Sequence, residues 1–233
     1  MTPAGALTTL HSFNSTDGAN PTGALTQAAN GLLWGTTYGG GANGYGTIFK
    51  MTPAGELTTL HSFALTDGSC PESGLVQATN GNFYGMTSEG GDNSFGTIFE
   101  ISGLTLTTLY SFDVIDGVNP FGGIVEATDG NFYGTTEYDG ANDGGTVFRL
   151  AAGLGPFVTT LPTSGTVGEA IEILGTNLTG ATHVTFNSTT ATFTVISASE
   201  ISATVPAGAT TGNVSVTTPF GILYSTAAFR VTP

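Results

Sequence analysis

Leu57-Thr58-Thr59-Leu60-His61-Ser62-Phe63 decides the fold, because the chain carries this stretch three times. The other copies are Leu7-Thr8-Thr9-Leu10-His11-Ser12-Phe13 and Leu106-Thr107-Thr108-Leu109-Tyr110-Ser111-Phe112, so the spacing is 50 residues (7 to 57) and then 49 (57 to 106). Working outward, each copy is followed by Asp-Gly (Asp17-Gly18, Asp67-Gly68, Asp116-Gly117) and by a proline three residues beyond the glycine. Next come Gly31-Leu32-Leu33-Trp34-Gly35, Gly81-Asn82-Phe83-Tyr84-Gly85 and Gly130-Asn131-Phe132-Tyr133-Gly134. Each unit closes on Gly46-Thr47-Ile48-Phe49, Gly96-Thr97-Ile98-Phe99 or Gly145-Thr146-Val147-Phe148. A fixed period near 50 residues is the signature of a repeat architecture.

Within the middle unit the sequence predicts four strands. They are Gly74–Thr79, Asn82–Thr87, Gly96–Ile101 and Leu106–Phe112, with Asn80-Gly81 as a type I′ hairpin turn and a Gly/Asp/Asn loop over Ser88–Ser94. Four short strands per 50 residues, joined by hairpins, fit one blade of a β-propeller. Glycines inside strands (Gly35, Gly85, Gly134) suit inner strands where backbones approach closely. The phase is informative as well. The chain opens with a fourth-type strand (Leu7–Phe13), runs two complete units, and ends the third unit without its fourth strand. Three blades are too few for a closed ring, so the expectation is a homodimer of six blades, each N-terminal strand completing the partner's last blade and capping an exposed edge. If the chain is a fragment, the missing blades lie upstream. Met1-Thr2-Pro3-Ala4-Gly5 repeats Met51-Thr52-Pro53-Ala54-Gly55, so the chain starts inside a repeat.

Composition narrows the class. The 233 residues suffice for one large or two modest domains, and 36 glycines with no sustained i, i+3, i+4 apolar pattern argue against helix. Seventeen acids against three Lys+Arg give a net charge of −14, a field that repels phosphate backbones and anionic membrane surfaces. Nucleic-acid binding and membrane insertion are therefore not expected, while neutral sugars and cations stay open. The single cysteine, Cys70, rules out an intramolecular disulfide framework. No apolar run reaches the roughly 18 residues of a membrane span.

From Gly153 the composition shifts to Thr, Ala, Val and Ser, and short alternating runs follow at 170–175, 182–186, 191–196, 200–206, 213–218 and 228–231. Period-2 alternation with turns every 8–12 residues predicts a β-sandwich. Gly165-Thr166-Val167-Gly168, Gly175-Thr176-Asn177-Leu178-Thr179-Gly180-Ala181, Phe193-Thr194-Val195 and Ala203-Thr204-Val205-Pro206-Ala207-Gly208 resemble the IPT/TIG immunoglobulin-like domain. That resemblance spans 156–233 and implies a spacer in a secreted or surface protein. The repeats, through Ser62-Phe63, Asp67-Gly68, Pro71, Gly81-Asn82-Phe83-Tyr84-Gly85-Met86-Thr87 and Gly96-Thr97-Ile98-Phe99 and their copies, resemble the Gloeobacter/Verrucomicrobia-type tandem repeat of bacterial extracellular proteins. The resemblance implies export and brings no catalytic residues. The expected organisation is all-β: three blades over 1–152 (about 1–50, 51–100 and 101–150), then an Ig-like sandwich over 156–233.

Each candidate for chemistry has a structural alternative. Asp17, Asp67 and Asp116 form a potential ring of calcium or sugar ligands, but Asp-Gly is also an Asx-turn in which the carboxylate caps its own backbone. No Asp-x-Asp-x-Asp spacing accompanies them. The loops between second and third strands hold Tyr38, Asn43, Tyr45, Glu89, Asp92, Asn93, Glu137, Tyr138, Asp139 and Asn142. Acceptors beside aromatic faces suit sugars, which join hydroxyl edges to apolar C–H faces. The other reading of these loops is a set of variable, solvated turns. Trp34, Tyr84 and Tyr133 read as packing residues. His11 and His61 read as structural, since Tyr110 replaces them in the third copy. No His/Cys cluster has zinc spacing, and no cofactor is expected beyond calcium. Gly-x-Ser-x-Gly and phosphate-cradle motifs are absent.

The sequence thus points to a non-catalytic extracellular or cell-surface binding module for a glycan or polysaccharide. Several equivalent shallow sites would gain avidity on a repetitive polymer. The alternatives are a polysaccharide hydrolase or lyase with a carboxylate site, for which Glu89 with Asp92 or Glu137 with Asp139 could be nominated, and a scaffold segment of a larger surface protein.

Overall fold

The computed structural model describes residues 5–233, and among them every regular element is a β-strand. The chain parts into two compact units. One reaches to Glu126 and takes in Phe132–Leu150, and the other combines Ala127–Asn131 with Ala151–Pro233.

The first unit is a row of three antiparallel sheets, one per repeat. Sheet one is β1 (Thr26–Gln27), β2 (Leu33–Thr37), β3 (Thr47–Met51) and β4 (Leu57–Ser62), in that order. Sheet two repeats it with β5 (Val76–Gln77), β6 (Phe83–Thr87), β7 (Thr97–Ser102) and β8 (Thr105–Ser111). Sheet three has β9 (Val125–Glu126), β10 (Phe132–Thr136) and β11 (Thr146–Leu150), with β11 at its edge.

Three local devices recur in this unit. The hairpin between first and second strands is a three-residue loop rather than the expected type I′ turn: the Ala78 N–H donates to the Asn82 carbonyl, and the Gly81 N–H to the Ala78 carbonyl. Of the three loop residues only Gly81 has positive φ (84°), so Thr79-Asn80 form the centre of a type I turn that Gly81 closes as a glycine bulge. The strand glycines make room for a ring, not for a backbone. A Cβ on Gly35, Gly85 or Gly134 would stand 2.7, 2.6 or 2.5 Å from Cζ of the cross-strand Phe49, Phe99 or Phe148. Finally, paired threonine hydroxyls bridge second and third strands: Thr37–Thr47 at 2.8 Å, Thr87–Thr97 at 2.8 Å and Thr136–Thr146 at 2.9 Å. The second hydroxyl of each pair also donates to the carbonyl of Asp17, Asp67 or Asp116.

Sheets pack on one another through rings and main-chain bonds. Trp34 stacks on Phe83 at 3.9 Å, and Tyr84 leans on Phe132 at 4.3 Å. The Thr36 hydroxyl donates to the Ser73 carbonyl (2.9 Å), and Thr79 binds the Glu126 carboxylate through its N–H (2.9 Å) and hydroxyl (2.7 Å). Ile48, Phe63, Leu75, Phe83, Phe99 and Ile101 complete the buried cluster. Each such side chain contributes about 1.5–3 kcal/mol on leaving water.

Leu7–Phe13, expected to pair with a second copy, forms no strand in the single chain, where β4 already holds the edge of β3. Phe13 nevertheless packs edge-on against Phe49 at 5.3 Å.

In the second unit β12 (Thr159–Leu161), β13 (Ser164–Thr166), β14 (Ala170–Leu174), β15 (His183–Phe186), β16 (Thr189–Thr190), β17 (Phe193–Ser197), β18 (Glu200–Thr204), β19 (Val214–Thr218), β20 (Gly221–Tyr224) and β21 (Arg230–Thr232) make three sheets. Their orders are β12-β14-β18-β17, β16-β15-β19-β20 and the parallel pair β13-β21. The alternation read from the sequence is the burial pattern: Ile171 and Ile173, Val184 and Phe186, Ile201 and Ala203, and Val214 and Val216 meet in one core. The runs at 159–161, 164–166, 189–190 and 221–224 were too short or too polar to stand out from periodicity alone.

Candidate functional site

The loop after each second strand is pinned at its start to the segment that follows Asp-Gly. Backbone bridges join Ala19 to Gly39, Ser69 to Glu89 and Val118 to Tyr138. This segment turns on a residue of positive φ (Asn20 54°, Cys70 57°, Asn119 55°) and then a proline. The residue after the proline, Thr22, Glu72 or Phe121, is thereby delivered to the same rim as the loop.

Between sheets two and three the rim forms an open groove of about 530 Å³, lined by Glu72, Phe121, Gly122, Thr135, Thr136 and Glu137. It gathers two acidic side chains, an aromatic residue and Thr135 around one space, while the Thr136 hydroxyl is held by Thr146. Glu72 is half-buried. Ser88 Oγ lies 3.2 Å from its Oε1 and 2.9 Å from the Cys70 carbonyl, and donates to one or the other. A hydrogen bond to Glu137 raises the Tyr138 phenol pKa.

Tyr38, Cys70 and Glu89 cluster near Glu72. The Cys70 Sγ is 3.8 Å from Glu89 Oε2, and burial, ahead of the neighbouring carboxylate, pushes its pKa up. The Tyr38 phenol is raised too, first by its hydrogen bond to Cys70 and further by the charges of Glu89 and Glu72. The rim therefore keeps its phenols and its thiol protonated as donors beside carboxylate acceptors. None of the three basic residues, Lys50, Arg149 and Arg230, lines the groove.

The structure sorts the ten loop residues picked from the sequence. Glu137 reaches the groove, with Tyr138 bonded to it, and Tyr38 and Glu89 meet through Cys70. Asn43 and Asn93 are engaged elsewhere, their amides donating to the carbonyls of Phe63 (3.0 Å) and Phe112 (3.1 Å). Tyr45 packs half-buried against the sheet core. Asp92 and Asn142 are exposed at loop tips, and Asp139 takes the left-handed position (φ 60°) that Gly40 and Gly90 occupy. Sequence reasoning missed Glu72 and Phe121. The signal was present: after each repeat's proline stands Thr, Glu or Phe, a variable position in a fixed frame.

Asp17 and Asp67 each bind a histidine and their own turn. His11 Nε2–Asp17 Oδ2 and His61 Nε2–Asp67 Oδ2 are 2.9 Å, while the N–H of Asn14 (2.9 Å) and of Ala64 (2.8 Å) donate to the other oxygens. In the third repeat Tyr110 donates to Asp116 instead. The His-to-Tyr exchange thus conserves a hydrogen bond to aspartate. Among the described residues no three or more His, Cys, Asp or Glu gather as a metal site, and no helix is long and apolar enough to cross a membrane.

No curated protein matches the chain. Among solved structures, a fungal alcohol oxidase described as showing catalytic diversity among the AA5 family, in complex with copper, aligns over 92% of this chain at 15% identity with a TM-score of 0.41. The alignment covers 55% of that protein, so this chain spans about half its length. The model of the Gloeobacter/Verrucomicrobia repeat matches residues 1–196, and the chain belongs to that repeat family.

Proposed function

We propose that this chain is an extracellular carbohydrate-binding module, in which propeller-type repeats present the groove and an IPT/TIG-type Ig-like sandwich serves as spacer. The observation that carries the reading is the groove itself, whose lining brings together Phe121, the two acids Glu72 and Glu137, and Thr135. A pyranose offers an apolar C–H face to a ring, and hydroxyls that donate to carboxylates in charge-assisted bonds. The net charge of −14 disfavours anionic polymers and leaves neutral or cationic glycans. Calcium is not required in this reading, because the repeated aspartates are engaged by histidine, tyrosine and backbone donors.

The test is a glycan and polysaccharide array probed with the whole chain, with and without a chelator, beside Phe121→Ala and Glu137→Gln. Saturable, chelator-insensitive binding to one sugar class, lost in both variants, is the expected result. No binding, or release of new reducing ends from a bound polysaccharide, would overturn a non-catalytic lectin.

A further inference from the structure

We propose that a second copy of this chain completes the row of sheets, residues 7–12 of each copy adding as the outer strand alongside β11 of the other. The inference rests on the repeat geometry and is independent of the ligand.

Both ends of the row are uncovered at positions that the interior repeats bury. On β11, Val147 is 79% exposed, whereas its equivalents Ile48 and Ile98 are 0% and 1% exposed under β4 and β8. At the other end Leu25 is 50% exposed, while Leu75 and Ile124 are each 3% exposed. Pro21 is exposed, while Pro71 and Pro120 are buried. An apolar groove of about 390 Å³ lies there, with Phe13, Pro21, Leu25, Phe49 and Met51 on its walls. Leu7, the start of the unpaired repeat of the β4 sequence, is 98% exposed. A chain with one bare strand edge and one unpaired copy of the strand that covers it elsewhere carries its own complement.

The interior sheets dictate the register. Thr47 pairs Ser62, Ile48 pairs His61, Phe49 pairs Thr59 after a bulge, and Met51 pairs Leu57. Thr97, Ile98, Phe99 and Ile101 repeat this with Ser111, Tyr110, Thr108 and Leu106. Across copies the same rule sets Thr146 opposite Ser12, Val147 opposite His11, Phe148 opposite Thr9 and Leu150 opposite Leu7.

Main-chain and amide bonds follow the same rule. Phe63 and Phe112 N–H donate to the Gly46 and Gly96 carbonyls (3.0 Å each), and the amides of Asn43 and Asn93 grip the phenylalanine carbonyls in return. Phe13 N–H, the Gly145 carbonyl and the exposed Asn142 are the third set. Cys70 and Asn119 N–H reach back to the carbonyls of Tyr45 and Phe95 (3.0 and 3.2 Å), which pairs Asn20 with Gly144.

A chain cannot make this contact with itself. Phe13 and His11 are fixed on the first repeat by Phe49 (5.3 Å) and Asp17 (2.9 Å), whereas β11 lies in the third, with sheet two packed between. Reciprocal exchange between two copies satisfies both ends at once. A head-to-tail contact closes when its rotation does, here into a ring of six sheets. Covering the strand edge also removes an aggregation template.

The test uses the whole chain. Light scattering across a concentration series should give twice the mass of one chain. Ser12→Cys with Thr146→Cys, in a Cys70→Asn background that restores the residue found at positions 20 and 119, should form an intermolecular disulfide on oxidation. Thr8→Cys with Thr146→Cys should not. Val147→Lys alters a side chain that is solvent-exposed in a single copy, so it should yield a folded monomer with an unchanged circular dichroism spectrum. A monomeric chain, an open polymer, or a dimer indifferent to Val147→Lys would overturn the proposal. A monomer that still binds glycan would do so without touching the ligand assignment, and would hand the β11 edge to further repeats of a longer chain.

Discussion

The Phe99 ring lies over Gly85 on the neighbouring strand, with Cζ where a Cβ would stand 2.6 Å away. Leu75 approaches the same point at 2.7 Å. Gly85→Ala should therefore overpack a filled interior and cost about 1–3 kcal/mol. Replacing Phe99 by Leu in the same chain should return part of that loss. Gly81→Ala meets open space but sits at φ 84°, so its cost is backbone strain of about 1–2 kcal/mol that Phe99→Leu leaves unchanged. A double-mutant cycle by urea denaturation measures the coupling in the first pair and its absence in the second.

Thr97 gives a second handle on the same frame. Its hydroxyl meets Thr87 Oγ1 at 2.8 Å and donates to the Asp67 carbonyl at 3.1 Å, while its N–H donates to Thr87 Oγ1 at 3.0 Å. Thr97→Val keeps the shape but takes the hydroxyl donor from the Asp67 carbonyl, at a cost of about 1–3 kcal/mol, while Thr87 Oγ1 keeps the Thr97 N–H and the Glu89 carbonyl. Thr97→Ser should retain most of the stability. Unchanged m-values with a lowered urea midpoint in the valine variant alone would verify this.

The repeat frame was legible because residues that recur at a fixed spacing do one fixed job. Gly85 clears space for Phe99, and Asp67 binds both His61 and its own turn. Strand positions followed from alternation where one face is buried, as at Ile171 and Ile173. The candidate site was legible only in part. Loop composition led to Glu137, but it could not distinguish Asn43, whose amide is committed to the Phe63 carbonyl, from a free ligand-binding amide. Glu72 and Phe121 were hidden because they reach the groove from the segment before the first strand, a proximity that only packing between neighbouring repeats creates. Leu7–Phe13 carries the residues of a fourth strand but is no strand in the single chain, since a strand exists only beside an open edge and β4 holds that of β3.

Alkaline pH should unfold the chain through Tyr84. Burial, and then a hydrogen bond to Glu100, push its phenol up to about 12, and its hydroxyl donates to Glu100 Oε1 at 2.8 Å. An unfolded tyrosine titrates near pH 10. The native state thus holds its proton more tightly, so the stabilisation is complete below about pH 10 and is lost as pH rises toward 12. Tyr84→Phe should lower stability at neutral pH and flatten that alkaline decline. Tyr110, raised to about 12 first by its bond to Asp116, keeps part of the slope. Urea midpoints at stepped pH read both effects.

The acid limb belongs in part to Asp17. The Asn14 N–H, ahead of the neighbouring His11, holds its carboxyl below the usual range. A depressed native pKa stabilises above the unfolded value near 4 and is lost as pH falls through the native one. Asp17→Asn should weaken the chain at neutral pH and reduce its sensitivity below about pH 4. Parallel acid titrations of both proteins by tryptophan fluorescence test it, since Trp34 is the single reporter.

Binding and stability should separate cleanly between groove and frame. Glu72 lines the groove, so Glu72→Gln removes a charged acceptor and should weaken glycan binding by about 10–100-fold, the range of a hydrogen bond to a charged group. Its melting temperature should move little, because the neighbouring Ser88 hydroxyl retains the Cys70 carbonyl at 2.9 Å. Asn43→Ala should do the reverse. It strips a donor from the Phe63 carbonyl and should cost about 1 kcal/mol of stability with affinity intact. Calorimetric titration and thermal melts on the same two preparations give the crossed pattern. Equal loss of affinity in both variants would place the ligand on the loop tips rather than between Glu72 and Phe121.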